Sequence, residues 1–135
     1  MPQHAAPNGT VLLVDDEEPI RQLARRFLEP EGYHVIEASH GLEAVALLAG
    51  GTALDLLVAD LDMPGLEGIE MVRRVRATRP NLPVLYVTGN INRLMDERHV
   101  LCDGEAFLEK PFDAAGLLEA VSLILYGTVK KKSAQ

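Results

Sequence analysis

A chain of 135 residues with 47% hydrophobic residues is the size of one ordinary domain, large enough to bury a core without disulfides or a structural metal. No apolar stretch approaches the roughly 20 residues that span a bilayer, and the opening MPQHAAPNGT has neither a basic start nor an apolar core, so no secretory signal and a cytoplasmic location are expected. The formal net charge of −7 argues against a nucleic-acid surface, which needs clustered Lys and Arg; the single Cys102 excludes an internal disulfide and has no partner at zinc-ligand spacing.

In chain order, a short continuous apolar run followed by a segment of helical period recurs, which is the pattern of an α/β fold with a parallel sheet. The first strand is read at 11–14. A helix follows it, with Ile20, Leu23, Ala24, Phe27 and Leu28 on one face and Pro19 near its start. The mixed run 33–38 suits an edge strand, and 41–49 a second helix. Residues 56–59 and 84–87 are almost wholly apolar, as strands covered on both faces should be. Between them a third helix is read over 65–78, with Ile69, Val72 and Val75 inward, stopping before Pro80. The segment 90–101 has only a sparse stripe of Ile91, Leu94, Met95 and Val100 or Leu101, which predicts a short or mobile fourth helix. A fifth strand at 106–109 and a fifth helix at 117–125, with Leu117, Val121, Ile124 and Leu125 on one face, complete five strand–helix units. Connections this short leave few right-handed topologies.

Four of the apolar runs end in a residue able to handle a phosphoryl group: Asp15-Asp16 after VLLV, Asp60 after LLVA, Thr88 after VLYV and Lys110 after AFLE. In a parallel sheet these ends share one edge, so the residues converge in one crevice. Each position also has an ordinary explanation. Asp15-Asp16 would cap the next helix, helped by Glu17 and Glu18; Thr88-Gly89 would be a turn; Lys110 would be a surface lysine before Pro111. None of these explains why all four fall on the same edge. The turn at Pro64-Gly65 is expected to leave Asp60 exposed at the mouth. Three carboxylates within a few Å repel by about 4 kcal/mol per pair at intermediate dielectric, so the cluster calls for cations. Lys110 supplies one, and Mg²⁺, an oxygen-seeking ion that takes carboxylates, waters and phosphate oxygens, would be the other. An Asp carboxylate is also a nucleophile able to form an aspartyl phosphate. Mg²⁺, the Thr88 hydroxyl and the Lys110 ammonium could then each hold one equatorial oxygen. His4, His34, His40 and His99 show no ligand spacing and read as surface or edge residues.

The acidic pair Asp15-Asp16, the run Asp60-Leu61-Asp62-Met63-Pro64 with Gly68 beyond it, Thr88, and Phe107 three residues before Lys110-Pro111-Phe112 together resemble the receiver domain of bacterial two-component response regulators. The resemblance covers 10–127, leaving 1–9 as an N-terminal extension and 128–135, with Lys130-Lys131-Lys132, as a basic solvated tail. It implies a single-domain, flavodoxin-like (βα)5 doubly wound parallel sheet of strand order 2-1-3-4-5. It implies phosphorylation of Asp60 by the phosphohistidine of a sensor histidine kinase or histidine phosphotransfer protein, with Thr88 and Lys110 assisting. Mg²⁺ would be held by Asp16 and Asp60, the Asp62 backbone carbonyl, and Asp15 through water. Thr88 and Phe107 would be the switch pair; Phe107 brings no hydroxyl to it. Such a domain is no classical enzyme but catalyses its own phosphorylation and dephosphorylation, and signals to a downstream protein.

Two other readings compete. A haloacid-dehalogenase-like phosphatase also uses an Asp nucleophile, a Thr or Ser, a Lys and Mg²⁺, and Asp60-Leu61-Asp62 imitates its Asp-x-Asp opening, but there the nucleophile follows the first strand and the acidic pair comes after the Lys. A receiver-like docking module that is never phosphorylated is disfavoured by the complete acidic set. The expected partners are proteins, with neither nucleic acid nor membrane; a homodimer is left open. The chain is expected to be a stand-alone regulator or a receiver cut from a longer regulator or hybrid kinase.

Overall fold

A computed structural model describes residues 9–63, 68–90 and 104–127. Five parallel strands, β1 (Gly9–Val14), β2 (Tyr33–Ala38), β3 (Leu56–Asp60), β4 (Val84–Thr88) and β5 (Glu105–Glu109), form one sheet in the order β2-β1-β3-β4-β5. Among the described residues four helices cover it: α1 (Glu18–Leu28), α2 (Gly41–Ala49), α3 (Gly68–Arg76) and α4 (Ala114–Tyr126). The mixed strand β2 lies at an edge, as its composition requires. The helix expected at 90–101 falls, apart from Asn90, outside the described residues, as do Pro64-Gly65, Cys102, His4, His99 and the tail at 128–135.

Successive strand residues point to opposite faces of a sheet, and here the alternation divides the core in two. Val11, Leu13, Leu56, Val58, Leu85 and Val87 pack with Ala24 and Leu28 of α1 and Leu117 and Val121 of α4. Leu12, Val14, Leu57, Ala59, Val84 and Tyr86 pack on the other face with Ala44 and Leu48 of α2 and Met71, Val72 and Val75 of α3. The same alternation puts Asp60 on the α1/α4 face and Thr88 on the α2/α3 face.

Helix boundaries follow local chemistry. Helix α1 begins with Glu18 and Pro19 and ends with Arg25 and Arg26, charges that suit its dipole. It tightens into a 3-10 turn at Glu29–Glu31 and stops at Gly32, whose φ of 93° is a left-handed conformation that glycine adopts without a Cβ penalty. Helix α2 is capped by His40, which accepts the Glu43 N–H, while Glu43 reaches back to Ser39. Helix α3 ends at Arg76, two residues before the expected end, because Ala77 and Thr78 donate to carbonyls three residues back and the Thr78 hydroxyl bonds the Val75 carbonyl. Helix α4 begins three residues earlier than its apolar stripe, because Asp113 accepts the Gly116 N–H at 2.8 Å.

Candidate functional site

The strand ends are in register at one rim. Val14 pairs with Ala38 and Ala59, Asp60 with Val87, and Thr88 with Glu109. Pairing continues past the strands, with Leu61 N–H donating to Val87 and Lys110 N–H to Thr88. Asp15, Asp60 and Lys110 therefore arrive together on the α1/α4 face. Lys110 Nζ lies 3.1 Å from Asp15 Oδ2 and 3.3 Å from Asp60 Oδ1. Oxygens of Asp15, Asp16 and Asp60 all lie within 4.8 Å of one another. The Lys110–Pro111 peptide is cis.

One expectation needs correction, and one ordinary alternative falls. Asp60 is not exposed at the mouth: it is the last ladder residue of β3 and only 2% exposed, because pairing with Val87 carries the sheet one residue beyond the apolar run. The acidic pair does not cap α1. The N-cap residue is Glu17, which makes no side-chain capping bond; instead Asp15 Oδ1 accepts the Glu17 N–H at 2.8 Å, which turns the loop and leaves Oδ2 for Lys110. The loop is held further by Arg21, whose guanidinium donates to the Asp15 carbonyl at 2.7 Å and to Glu37 on β2 at 2.8 Å.

Burial in a cluster of like charge controls the electrostatics of Asp60. Desolvation pushes the Asp60 carboxyl up from 3.8 to about 6 and the Asp15 charge adds to it, while the Asp62 N–H and Lys110 pull the other way. Burial alone would lower Lys110, but Asp15 and Asp60 outweigh it and raise its pKa. Three carboxylates against one ammonium leave an excess of negative charge. Asp60 Oδ1 accepts the Asp62 N–H at 2.9 Å, whereas Asp60 Oδ2 is buried without a hydrogen-bond partner. A buried carboxylate oxygen with no donor, beside two more carboxylates, is a donor set suited to a hard cation.

Thr88 is buried at the end of β4. Its hydroxyl donates to Asp62 Oδ1 at 3.1 Å and accepts the Asn90 N–H at 3.0 Å. The Asp62 side chain, for which the sequence suggested only a backbone role, also accepts the Gly89 N–H at 2.7 Å. Phe107 is half-buried on the same sheet face as Thr88, its ring 5.9 Å from that of Tyr86. The Tyr86 hydroxyl donates to Glu105, which also pairs with Arg76 of α3. Gly68 lies against Asp60: a Cβ there would stand 2.6 Å from the Asp60 carbonyl oxygen, so α3 can start this close to β3 only with glycine.

The family model for the response regulator receiver domain matches residues 11–122. The chain belongs to that family. This receiver domain is 35% identical over 127 residues to response regulator MprA of Mycobacterium bovis, covering 93% of the chain and 54% of that protein. It is 34% identical over 120 residues to sensor kinase CckA of Brucella abortus, covering 87% of the chain and 13% of that kinase. The chain thus spans about half of one curated relative and a small part of the other. Among solved structures, the Vibrio cholerae chemotaxis protein CheY4 superimposes with a TM-score of 0.79 at 31% identity, over 90% of this chain and 100% of that one. The receiver-domain assignment, the strand order and the place in two-component signalling are those expected from the sequence. The dehalogenase-like alternative falls with the same match, and the acidic pair, not the nucleophile, follows the first strand. Among the described residues no helix is long and apolar enough to cross a membrane.

Proposed function

We propose that this receiver domain accepts a phosphoryl group on Asp60 from the phosphohistidine of a sensor histidine kinase or histidine phosphotransfer protein, and passes the signal to a protein target by a change of conformation. The observation that carries this reading is the Asp60 carboxylate itself: buried, raised toward neutrality by its surroundings, with Oδ1 fixed by Asp62 and Lys110 and Oδ2 left without a donor. Oδ2 attacks phosphorus, forming the O–P bond as the P–N bond breaks and the imidazole leaves with the electron pair. Lys110, 3.3 Å from Asp60 Oδ1 and tied to Asp15, holds its ammonium where a phosphoryl oxygen would gain charge. Thr88 offers a hydroxyl from the neighbouring strand.

Asp16 and Asp60, the Asp62 backbone carbonyl and, through water, Asp15 would hold Mg²⁺. When bound, the ion neutralises the carboxylates and the charge on the transferring group. Phosphorylation draws on Thr88, and Phe107, packed on Tyr86, responds as the second switch residue. The location that suits this role is the cytoplasm. Incubation with Mg²⁺ and acetyl phosphate should give a base-labile acyl phosphate, seen as a mass increase on Asp60 and absent in Asp60→Asn. Equal labelling of the variant would refute the assignment, and no labelling of the wild type would favour a docking module that is never phosphorylated.

A further inference from the structure

Two donors at the end of β4, the strand next to Asp60, are already engaged. Asp62 Oδ2 accepts the Gly89 N–H at 2.7 Å, and the Thr88 hydroxyl donates to Asp62 Oδ1 at 3.1 Å and reaches Oδ2 at 3.4 Å. A hydroxyl and a backbone amide each carry one proton to donate, so a phosphoryl oxygen and the Asp62 carboxylate cannot use them fully at the same time. The Thr88 hydroxyl also accepts the Asn90 N–H, and its one proton serves Asp62. Asp62 is exposed, so packing does not hold its carboxylate in place; the two donors do. Its backbone is anchored two residues from the acceptor by the N–H to Asp60 Oδ1 bond of 2.9 Å.

We propose that the Asp62 carboxylate is an internal competitor for the phosphoryl group: it occupies the Thr88 and Gly89 donors in the unphosphorylated domain and must leave them, against its own negative charge, when Asp60 is phosphorylated. The proposal rests on Asp60 as the acceptor. It makes Asp62 a positioning residue with an opposing action. By holding Thr88 before phosphorylation it keeps the switch hydroxyl ordered, and by contesting the donors afterwards it weakens the phosphorylated state. A chain without an acid at this position would bind the same group more tightly.

The test uses the full chain with Mg²⁺ and beryllofluoride as the phosphoryl mimic, comparing wild type with Asp62→Asn and Asp62→Ala; both variants keep the backbone carbonyl and the N–H that bonds Asp60. Affinity measured by calorimetry or fluorine NMR should rise about tenfold in Asp62→Ala, the equivalent of one charge-assisted hydrogen bond no longer contested. Asp62→Asn, which keeps an acceptor but no charge, should fall between. In the absence of beryllofluoride, the Gly89 amide proton should be shifted downfield and protected from exchange in the wild type, and should lose both properties in Asp62→Ala. A purely structural tie between the β3 and β4 ends predicts weaker binding in both variants, in step with their melting temperatures. Equal or weaker binding in Asp62→Ala, or an unprotected Gly89 amide in the wild type, overturns the competitor while leaving Asp60 as acceptor. Failure of all three proteins to bind beryllofluoride overturns both.

Discussion

Replacing Asp60 by Asn should stabilise the metal-free domain, and by an amount that depends on pH. In the folded chain the carboxyl is raised from 3.8 to about 6, first by burial and then by the Asp15 charge. Below pH 3.8 the group is protonated whether the chain is folded or not, and contributes nothing. Between that value and about 6 the folded state binds more protons than the unfolded state, so stability falls as pH rises. Above pH 6 the whole penalty stands, and at 1.36 kcal/mol for each pH unit it comes to about 3 kcal/mol. Asn has no charge to lose, and its amide oxygen can still accept the Asp62 N–H. The difference in stability between variant and wild type should therefore be small at pH 4 and grow to about 3 kcal/mol by pH 7.5, or about 10 °C in Tm for a domain of this size. Parallel melts in EDTA across this range measure it, and the difference cancels groups that titrate alike in both proteins. With 10 mM Mg²⁺ the gap should shrink, since the ion offsets the penalty in the wild type alone. A gap that stays flat from pH 4 to 7.5, or a variant less stable than wild type at neutral pH, would refute the account of the acceptor's burial.

Asp16→Asn should weaken Mg²⁺ binding more than tenfold by calorimetry while leaving the metal-free Tm unchanged or raised, because Asp16 is exposed and caps nothing; a helix-capping role would instead cost about 1 kcal/mol with metal affinity intact. Gly68→Ala should destabilise the domain by about 1–3 kcal/mol in urea melts, since its Cβ would meet the Asp60 carbonyl oxygen as well as the Leu61 side chain and backbone, and a stabilised variant would show that α3 can shift freely. Thr88→Ala should still be phosphorylated by acetyl phosphate but should lose the beryllofluoride-induced NMR shifts at Phe107 and its neighbours on β5; a full response there would favour direct recognition of the phosphorylated rim. Phe107→Tyr should leave both phosphorylation and those shifts intact, because the half-buried ring is placed by packing on Tyr86 and not by a hydroxyl.

The elements with a strong period were legible before any coordinates. Strand 33–38 and helix 41–49 stand where the residue pattern puts them, and the four phosphoryl-handling positions do share one rim. Ends were harder to read, because they depend on single polar contacts: Asp113 starts α4 ahead of its apolar stripe, and the Thr78 hydroxyl helps to close α3 early. The burial of Asp60 was missed for a related reason. An Asp after an apolar run looks like the start of a loop, yet the ladder to Val87 persists for that residue. Roles created by contacts distant in sequence leave no local signal. Arg21 reaching Asp15 and Glu37, and Asp62 reaching Thr88 across 26 positions, follow from how the loops lie over one another. A partial cue existed for Asp62, since a second acid two residues after the acceptor has little reason to be there for metal binding through its backbone alone.

The division of the sheet into two packed faces gives the rim a further property. Asp15, Asp60 and Lys110 belong to the side covered by α1 and α4, whereas Thr88, Tyr86 and Phe107 belong to the side covered by α2 and α3. The contacts that cross from one side to the other at this rim lie over its C-terminal lip, where Asp62 bonds Asp60 through its N–H and Thr88 and Gly89 through its carboxylate. Asp62 thus links the two sides directly, two residues from Asp60 and in contact with Thr88. On the proposed function, substitutions beneath α1 and α4 would act first on the Asp60 pocket, and substitutions beside Tyr86 and Phe107 on the opposite side. Changes at the lip itself, at Asp62, Thr88 or Gly89, would be felt on both sides.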